Sequence, residues 1–306
     1  MSSSPPRYAL GINTAFAVKR WPEPERWSAL IGDLGVDVVQ HTFDLVDLDG
    51  PPDHVLAQAD AVREACRDRG LRLHSTFTGL AAYSSNLLLH PDRRGRDRAE
   101  DWYRRAIDFT ARAGAGYTGG HIGAFTVSDW RDRKRHALLT EQLEQALGRL
   151  AAVARTRGLE GLLVENMAAA REPSTMSWMR RLLAEGNSAR VPVALCLDVG
   201  HHCVPGTEGD ERDPYAWLEQ LGAAAPVVHL QQTDATADHH WPFTAEMNAI
   251  GRIGADEVLA ALGRSGAEEV ALVLEVVPPF EAADDGVLED IATSIRYWKE
   301  ALNRNA

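Results

Sequence analysis

Short apolar runs alternate with longer helical patterns along the whole chain. Runs such as ValAlaLeuCysLeu at 193–197 and AlaLeuValLeu at 271–274 are continuously apolar, which is typical of strands with both faces buried. This alternation predicts parallel strands joined by crossover helices. Eight such pairs are present, and the predicted strands are Tyr8 to Phe16, Asp37 to Phe43, Leu71 to Phe77, Tyr117 to Ile122, Gly161 to Glu165, Val193 to Asp198, Val227 to Gln231 and Val270 to Val276.

Glycines stand where most of the predicted helices would stop before the next strand, at Gly35, Gly70, Gly114, Gly158, Gly222 and Gly266. Eight units in 306 residues, without a glycine-rich phosphate fingerprint after the first strand, favour a closed barrel over an open doubly wound sheet. We therefore predict an α/β fold, a single-domain (β/α)₈ TIM barrel over residues 8–306. Residues 1–7 are predicted to form a flexible leader.

The composition is that of an ordinary globular protein, with 45% hydrophobic and 25% charged residues. The net charge of −12 opposes binding to a phosphate backbone, so no nucleic-acid partner is expected. Three cysteines without a CxxC pair, and the lack of a signal-like or membrane-length apolar segment, predict a cytoplasmic protein with no membrane partner.

Four successive strands, the fifth to the eighth, end in a carboxylate or an imidazole: Glu165, Asp198, His229 and Glu275. Burying three carboxylates together is costly unless a cation compensates. The set predicts one divalent metal ion, Mn²⁺ first with Mg²⁺ or Co²⁺ as alternatives, and no organic cofactor. The absence of thiolate ligands argues against a structural zinc site. Each acidic residue could instead cap a helix or pair with an arginine.

Further polar residues near strand ends are candidate substrate contacts. His201 lies three residues after Asp198, beyond a glycine that lets the backbone turn. His121 follows two glycines, which permit a close approach of the backbone to a ligand. Asn13 and His74 lie inside predicted strands. Each of these four can instead be a polar group that its surroundings satisfy.

The longer connections follow strands, at 80–94 after the third and at 233–254 after the seventh, where a barrel carries its catalytic face. Both are expected to form pocket walls. Trp241 offers an apolar face to a sugar ring, or packs within its own loop. Lys19 and the arginine after it can bind a substrate phosphate, or lie in a solvated loop.

The four strand-end residues match the pattern of the xylose isomerase-like sugar phosphate isomerase/epimerase superfamily, over nearly the whole chain from GlyIleAsn at 11–13 to the last helix. Within it, Glu165 and Glu275 on opposite strand ends and AspValGlyHis at 198–201 resemble the ketose 3-epimerases. HisLeuGlnGlnThrAsp at 229–234, followed by AspHisHisTrpProPhe at 238–243, looks most like the erythrulose 1-phosphate 3-epimerase branch.

The resemblance implies that Glu165 and Glu275 are both metal ligands and an acid/base pair on either face of C3. One would remove a proton and the other return one, through an enediolate held by the metal. It also implies a small-molecule sugar or sugar phosphate as the partner, and a homo-oligomer, either a dimer or a tetramer.

The sequence departs from the free-sugar 3-epimerases at two places. A further glutamate soon after the first ligand is missing from GluAsnMetAlaAlaAlaArg at 165–171, and Ala235 stands near the position of an expected arginine. Substrate recognition must therefore differ. His239, His240 or Arg171 are candidates to replace those contacts.

Rival functions use the same ligands. Aldose–ketose isomerisation, or a lyase reaction on a 3-oxo sugar in a C-glycoside deglycosidase-like barrel with a second subunit type, also begins with proton removal. An endonuclease IV-like nuclease would need more ligands for three zinc ions, and the net charge of −12 weighs against it. A sugar sensor would bind without turnover.

Overall fold

The computed structural model describes residues 6–186 and 193–305. The chain forms a closed barrel of eight parallel β-strands that follow one another in sequence order, so the predicted (β/α)₈ fold is confirmed. The strands are β1 (Arg7–Asn13), β2 (Val38–Thr42), β3 (Arg72–Phe77), β4 (Tyr117–Gly120), β5 (Gly161–Glu165), β6 (Val193–Asp198), β7 (Val227–Leu230) and β8 (Glu269–Leu274).

The described residues form ten α-helices. They are α1 (Pro24–Leu34), α2 (Pro52–Asp68), α3 (Arg93–Ala113), α4 (Val127–Arg131), α5 (Arg133–Thr156), α6 (Met176–Gly186), α7 (Pro214–Leu221), α8 (Ala245–Ile250), α9 (Ala255–Ser265) and α10 (Asp284–Arg304). Within the described part of the chain, none has the length and apolar character that a membrane crossing requires.

Most strands begin and end within two residues of their predicted bounds, and β1 is the exception at its carboxyl end. It stops at Asn13 rather than Phe16, because the Asn13 side chain accepts a hydrogen bond from the backbone N–H of Ala15 and starts a 3₁₀-helix, Thr14–Ala17. At its amino end β1 begins at Arg7. Residues 1–5 of the predicted leader lie outside the described residues.

Glycines end the helices as predicted, but not all in the same conformation. Gly35, Gly114 and Gly266 follow α1, α3 and α9 with φ angles of 74°, 85° and 83°, the left-handed region that favours glycine. Gly222 follows α7 with φ of −57° and begins a 3₁₀-helix, Gly222–Ala224. Its position therefore agrees with the prediction, whereas its conformation needs no glycine.

The strand register brings several strand ends to one level. Asp198 lies opposite His229 in the pairing of β6 with β7. Leu274, the last residue of β8, lies opposite Leu230 of β7 and opposite Ile12 of β1. The side chains that close or follow β1, β6, β7 and β8 are therefore placed together, as expected at the carboxyl ends of barrel strands.

Two compact units can be distinguished in the chain. The first comprises 1–40, 65–72 and 196–306, and the second comprises 41–64 and 73–195. Each has its own large buried aromatic side chains, Trp27, Trp217, Phe243 and Trp298 in the first, and Phe77, Phe109 and Phe125 in the second.

Candidate functional site

Asp198, His229 and Glu275 lie together in the first unit. Their exposed fractions are 1%, 0% and 7%. Nδ1 of His229 is 2.8 Å from Oε2 of Glu275 and 3.8 Å from Oδ2 of Asp198. The candidate ligand atoms of the three residues all lie within 4.8 Å of one another. Two buried carboxylates beside one imidazole suit a divalent cation, since a cation offsets the cost of burying negative charge.

The carboxyl group of Glu275 is held in its charged form. Burial alone would raise its pKa, but the nearby imidazoles of His229, His240 and His201 outweigh burial and lower it. A charged carboxylate is the form that binds a metal ion. The electrostatics of this residue therefore agree with a role as a ligand.

The side-chain amides of Asn13 and Gln40 contact two of these residues, Glu275 and His229. Nδ2 of Asn13 donates to Oε1 of Gln40 at 2.7 Å and to Oε1 of Glu275 at 3.0 Å. Oε1 of Gln40 also lies 2.6 Å from Nε2 of His229. Both amide hydrogens of Asn13 are engaged within the protein. Asn13 therefore holds Glu275, and its contact with a substrate stays a prediction.

Asp198 is oriented through one of its oxygens. Oδ1 accepts hydrogen bonds from the backbone N–H of Gly200 at 2.6 Å and from Nε2 of Gln231 at 3.1 Å. A Cβ at position 200 would lie only 2.2 Å from the amide carbon of Gln231, so any other residue there would displace the Gln231 side chain. The other oxygen, Oδ2, is the one on the side of His229.

A second group, His201, Asp238 and His240, lies beside the first. The two carboxylate oxygens of Asp238 are 3.2 Å from Nε2 of His201 and 3.1 Å from Nε2 of His240. These three residues also offer ligand atoms within 4.8 Å of one another. Nε2 of Gln231, which binds Asp198, donates to Asp238 at 2.8 Å and so links the two groups.

The charges in this second group are complementary. Burial would lower the pKa of His240, but the carboxylates of Asp238, Glu275 and Asp198 raise it to about 9. Conversely, burial would raise the pKa of Asp238, and the imidazoles of His201 and His240 lower it well below its usual range. A carboxylate that is paired with two imidazoles suits the binding of polar substrate groups as well as of an ion.

Trp241 stands at the edge of a small cavity. Its ring stacks on His239 at 3.9 Å between centroids, and its backbone pairs with Gln232 through two hydrogen bonds. The cavity measures about 200 Å³ and is also lined by His240, Val276 and other mainly apolar residues. One face of the indole is therefore covered by His239.

Glu165 lies in the second unit as the last, buried residue of β5. Its Oε2 accepts a hydrogen bond from the hydroxyl of Tyr83 at 2.9 Å. The ring of Tyr83 stacks on buried His121, with 5.2 Å between centroids. Nε2 of His121 lies 3.8 Å from Oε1 of Glu172. His121 and Glu165 thus share Tyr83 as a neighbour.

His74 lies in β3, in the wall of the barrel. It shares a strand face with Thr76, whose hydroxyl contacts the hydroxyl of Thr110 in α3 at 2.6 Å. The ring of His74 stacks on Tyr117, with 5.2 Å between centroids. This face is turned towards Thr110 of α3, and a contact of His74 with a substrate stays a prediction.

Of the two basic residues after β1, Lys19 and Arg20, the second is engaged in contacts within the protein. The guanidinium of Arg20 donates to the carbonyl oxygen of Ala282 and pairs with Asp284. The exposed ammonium of Lys19 lies 4.1 Å from the ring centroid of Phe280. Of these two residues, Lys19 can therefore contact a substrate phosphate, whereas Arg20 cannot.

Sequence reasoning missed three residues of the site, Gln40, Tyr83 and Asp238. Gln40 follows two valines in buried β2. A polar side chain in a buried strand needs a hydrogen-bond partner, so the sequence did indicate that Gln40 contacts another polar group. Asp238 stands in the segment quoted for the resemblance. Tyr83 lies in the connection at 80–94, which was expected to form a pocket wall, but nothing in the sequence distinguished its side chain.

A family model described as the xylose isomerase-like TIM barrel matches residues 28–299, so the chain belongs to that family. D-erythrulose 1-phosphate 3-epimerase of Brucella abortus (strain 2308) is 28% identical over 312 residues, which cover 97% of each chain. A crystal structure from Rhodospirillum rubrum ATCC 11170, provisionally described as a xylose isomerase, has a TM-score of 0.89 at 33% identity, covering 96% of this chain and 99% of that one.

The structure of D-psicose 3-epimerase with D-tagatose from Clostridium cellulolyticum H10 has a TM-score of 0.69 at 15% identity, and covers 96% of this chain and 99% of that one. At this identity the likeness shows the fold alone. The relatives that share the fold include several sugar epimerases, among them L-ribulose 3-epimerase.

Proposed function

We propose that this protein is a divalent-metal-dependent 3-epimerase that acts on a ketose or a ketose phosphate. The observation that carries the proposal is the buried set of Asp198, His229 and Glu275 at neighbouring strand ends. The full-length likeness to D-erythrulose 1-phosphate 3-epimerase supports this reaction over isomerisation or elimination.

Glu165 is the fourth ligand in this proposal. It ends β5, which precedes β6 in the strand order, and like the other three residues it is buried. Oxygen and imidazole donors suit Mn²⁺, Mg²⁺ or Co²⁺. When bound there, the cation polarises the ketose carbonyl and the adjacent hydroxyl, which acidifies the proton on C3.

Glu165 and Glu275 act as the acid/base pair. One glutamate, as the carboxylate, removes the C3 proton from one face of the substrate. The other, as the carboxylic acid, delivers its proton to the opposite face, which inverts C3 and leaves the two glutamates with exchanged protonation states. The hydrogen bonds from Tyr83 to Glu165 and from Asn13 to Glu275 support this role, because each fixes one carboxylate oxygen. A positioned base of this kind contributes about 10²- to 10⁴-fold to the rate.

The substrate contacts are assigned to residues around these glutamates. His201 and His240, both held by Asp238, bind sugar oxygens, and His121 does so from the side of Tyr83. Trp241 borders the carbon chain, and Lys19 is the candidate for a phosphate. A homo-oligomer and a cytoplasmic location stay predictions.

The test is a direct assay of C3 configuration. Metal-free protein is incubated with D-erythrulose 1-phosphate, with and without Mn²⁺ or Mg²⁺, and the dephosphorylated tetrulose is analysed by chiral chromatography. The proposal predicts the enantiomeric tetrulose only in the presence of metal. An aldose product would assign an isomerase, and activity only on a 3-oxo glycoside with a second subunit would assign the lyase.

A further inference from the structure

We propose that Asn13 and Gln40 are positioning residues that fix His229 in the tautomer with its hydrogen on Nε2, so that Nδ1 is the nitrogen offered to a cation. This inference rests on the proposed function, because it takes His229 as a metal ligand. The tautomer follows from a chain of hydrogen bonds that starts at a backbone N–H, which can only donate.

The first step assigns the side-chain amide of Asn13. The backbone N–H of Ala15 lies 2.8 Å from one terminal atom of this amide. A backbone N–H only donates, so that atom must be the oxygen Oδ1. The NH₂ group, Nδ2, is therefore the atom that faces Gln40 and Glu275.

The second step assigns Gln40. Nδ2 of Asn13 only donates, so the Gln40 atom 2.7 Å away must be the oxygen Oε1. The same oxygen is 2.6 Å from Nε2 of His229. Because an amide oxygen only accepts, Nε2 of His229 must carry a hydrogen. The hydrogens themselves are assigned from this network of donors and acceptors.

The third step identifies the nitrogen of His229 that faces the cation site. A neutral imidazole has one N–H, so with Nε2 protonated the lone pair is on Nδ1. Nδ1 faces Oε2 of Glu275 at 2.8 Å and Oδ2 of Asp198 at 3.8 Å. A proton or a metal ion must therefore lie between Nδ1 and these carboxylates. The second nitrogen of a metal-binding histidine is normally held by an acceptor in this way.

The same network also orients Glu275. The amide of Asn13 binds Oε1 of Glu275, and Oε2 is the oxygen on the side of His229 Nδ1. One pair of amides thus presents both an imidazole nitrogen and a carboxylate oxygen to the same point. Gln40 is fully buried, so water does not readily replace its oxygen when the side chain is changed.

The experiment reads the tautomer and the metal affinity separately. Protein labelled with ¹⁵N-histidine is examined by long-range ¹H–¹⁵N correlation before and after saturation with diamagnetic Mg²⁺, and His229 is assigned from the spectrum of His229→Asn. We expect a hydrogen on Nε2 in both states, and the Nε2–H pattern with no hydrogen on Nδ1 once Mg²⁺ is bound. Mn²⁺ affinity is then measured by titration calorimetry, with folding checked by circular dichroism.

Three variants isolate the role of the Gln40 oxygen. Gln40→Met removes the acceptor at similar side-chain length and is expected to weaken Mn²⁺ binding about 10- to 100-fold. Gln40→Glu keeps an acceptor and is expected to recover most of the affinity. The matched control is Gln232→Met: Gln232 is also buried, but its amide binds Asn248 and Ile253. We expect that control to keep the wild-type affinity.

An Nδ1–H pattern in the wild type, or equal Mn²⁺ affinity in Gln40→Met and Gln232→Met, would overturn the inference. If Gln40→Met does not fold, the wild-type spectrum still decides. If the wild type binds no Mn²⁺, the proposed function fails, while the tautomer spectrum independently shows whether Gln40 fixes His229.

Discussion

The hydroxyl of Tyr83 donates a hydrogen bond to Oε2 of Glu165 across 2.9 Å, while its ring stacks on His121. Tyr83 belongs to the 3₁₀-helix Leu80–Ser84 in the connection between β3 and α3. The carboxylate of Asp44 accepts hydrogen bonds from the first two backbone N–H groups of this helix, at 2.6 and 3.1 Å. The orientation of Glu165 therefore depends on a loop that Asp44 anchors.

Tyr83→Phe is expected to lower kcat/KM roughly 10-fold, because a hydrogen bond to a charged group contributes about 1.5–3 kcal/mol and its loss leaves Glu165 less well oriented. Steady-state kinetics at saturating Mn²⁺ measure the effect. Tyr215→Phe is the control, since the hydroxyl of Tyr215 binds the backbone of Arg252 and Gly254 instead. Wild-type kinetics for Tyr83→Phe would remove Tyr83 from the account.

Asp238→Asn is expected to raise KM for the sugar roughly 10-fold while Mn²⁺ affinity stays unchanged, because an amide cannot accept from both His201 and His240. Kinetics and calorimetry separate the two effects. Asp234→Asn provides the control, since Asp234 binds His239 in the same loop. Loss of Mn²⁺ binding in Asp238→Asn would instead make Asp238 a metal ligand.

The purified protein is expected to hold one tightly bound divalent ion per chain, as measured by elemental mass spectrometry. The structure shows a second group of three potential ligands, His201, Asp238 and His240, which the sequence analysis did not count. The two imidazoles already pair with the carboxylate of Asp238, so this group needs no ion to balance that charge. Two or three retained zinc ions per chain would contradict this and favour the endonuclease IV-like nuclease.

His41→Leu is expected to flatten the dependence of stability on pH. His41 is buried, its ring stacks on Phe109, and burial lowers its pKa to about 3. Since an unfolded histidine has a pKa of about 6.5, the native state is stabilised fully above that pH and loses up to ~1.4 kcal/mol per unit as pH falls towards 3.

Urea unfolding of the wild type and His41→Leu between about pH 7 and pH 4 measures this difference. Other titrating groups act on both proteins alike, so only the change in slope is assigned to His41. Parallel curves for the two proteins would show that His41 does not contribute.

The fold could be predicted wherever burial on both faces leaves a continuous apolar run. β5 and β6 have the predicted bounds, with Glu165 and Asp198 as their last residues. β1 was predicted too long because the apolar run continues through Phe16, which is buried in a 3₁₀-helix rather than a strand. A hydrophobic run predicts that residues are buried. Because the end of β1 and the following 3₁₀-helix are both buried, the run does not show where the strand ends.

The ligands could be predicted from their places at strand ends, but their supports could not. Gln40 and His229 are 189 positions apart, and Tyr83 and Glu165 are 82 positions apart. Such contacts depend on register and on loop conformation, which one sequence does not specify. The same holds for the contacts of Asn13 with Glu275 and of His74 with Tyr117, which no feature of the sequence indicated.

The incorporation of solvent deuterium at C3 tests the central claim most directly. Tetruloses, pentuloses, hexuloses and their 1-phosphates are incubated in D₂O with Mn²⁺ or Mg²⁺ and followed by ¹H NMR. The account predicts loss of the C3 proton signal together with formation of the C3 epimer, and neither change with Glu165→Gln. Exchange at C1 or C2 with aldose formation, or no exchange with any ketose, would contradict it.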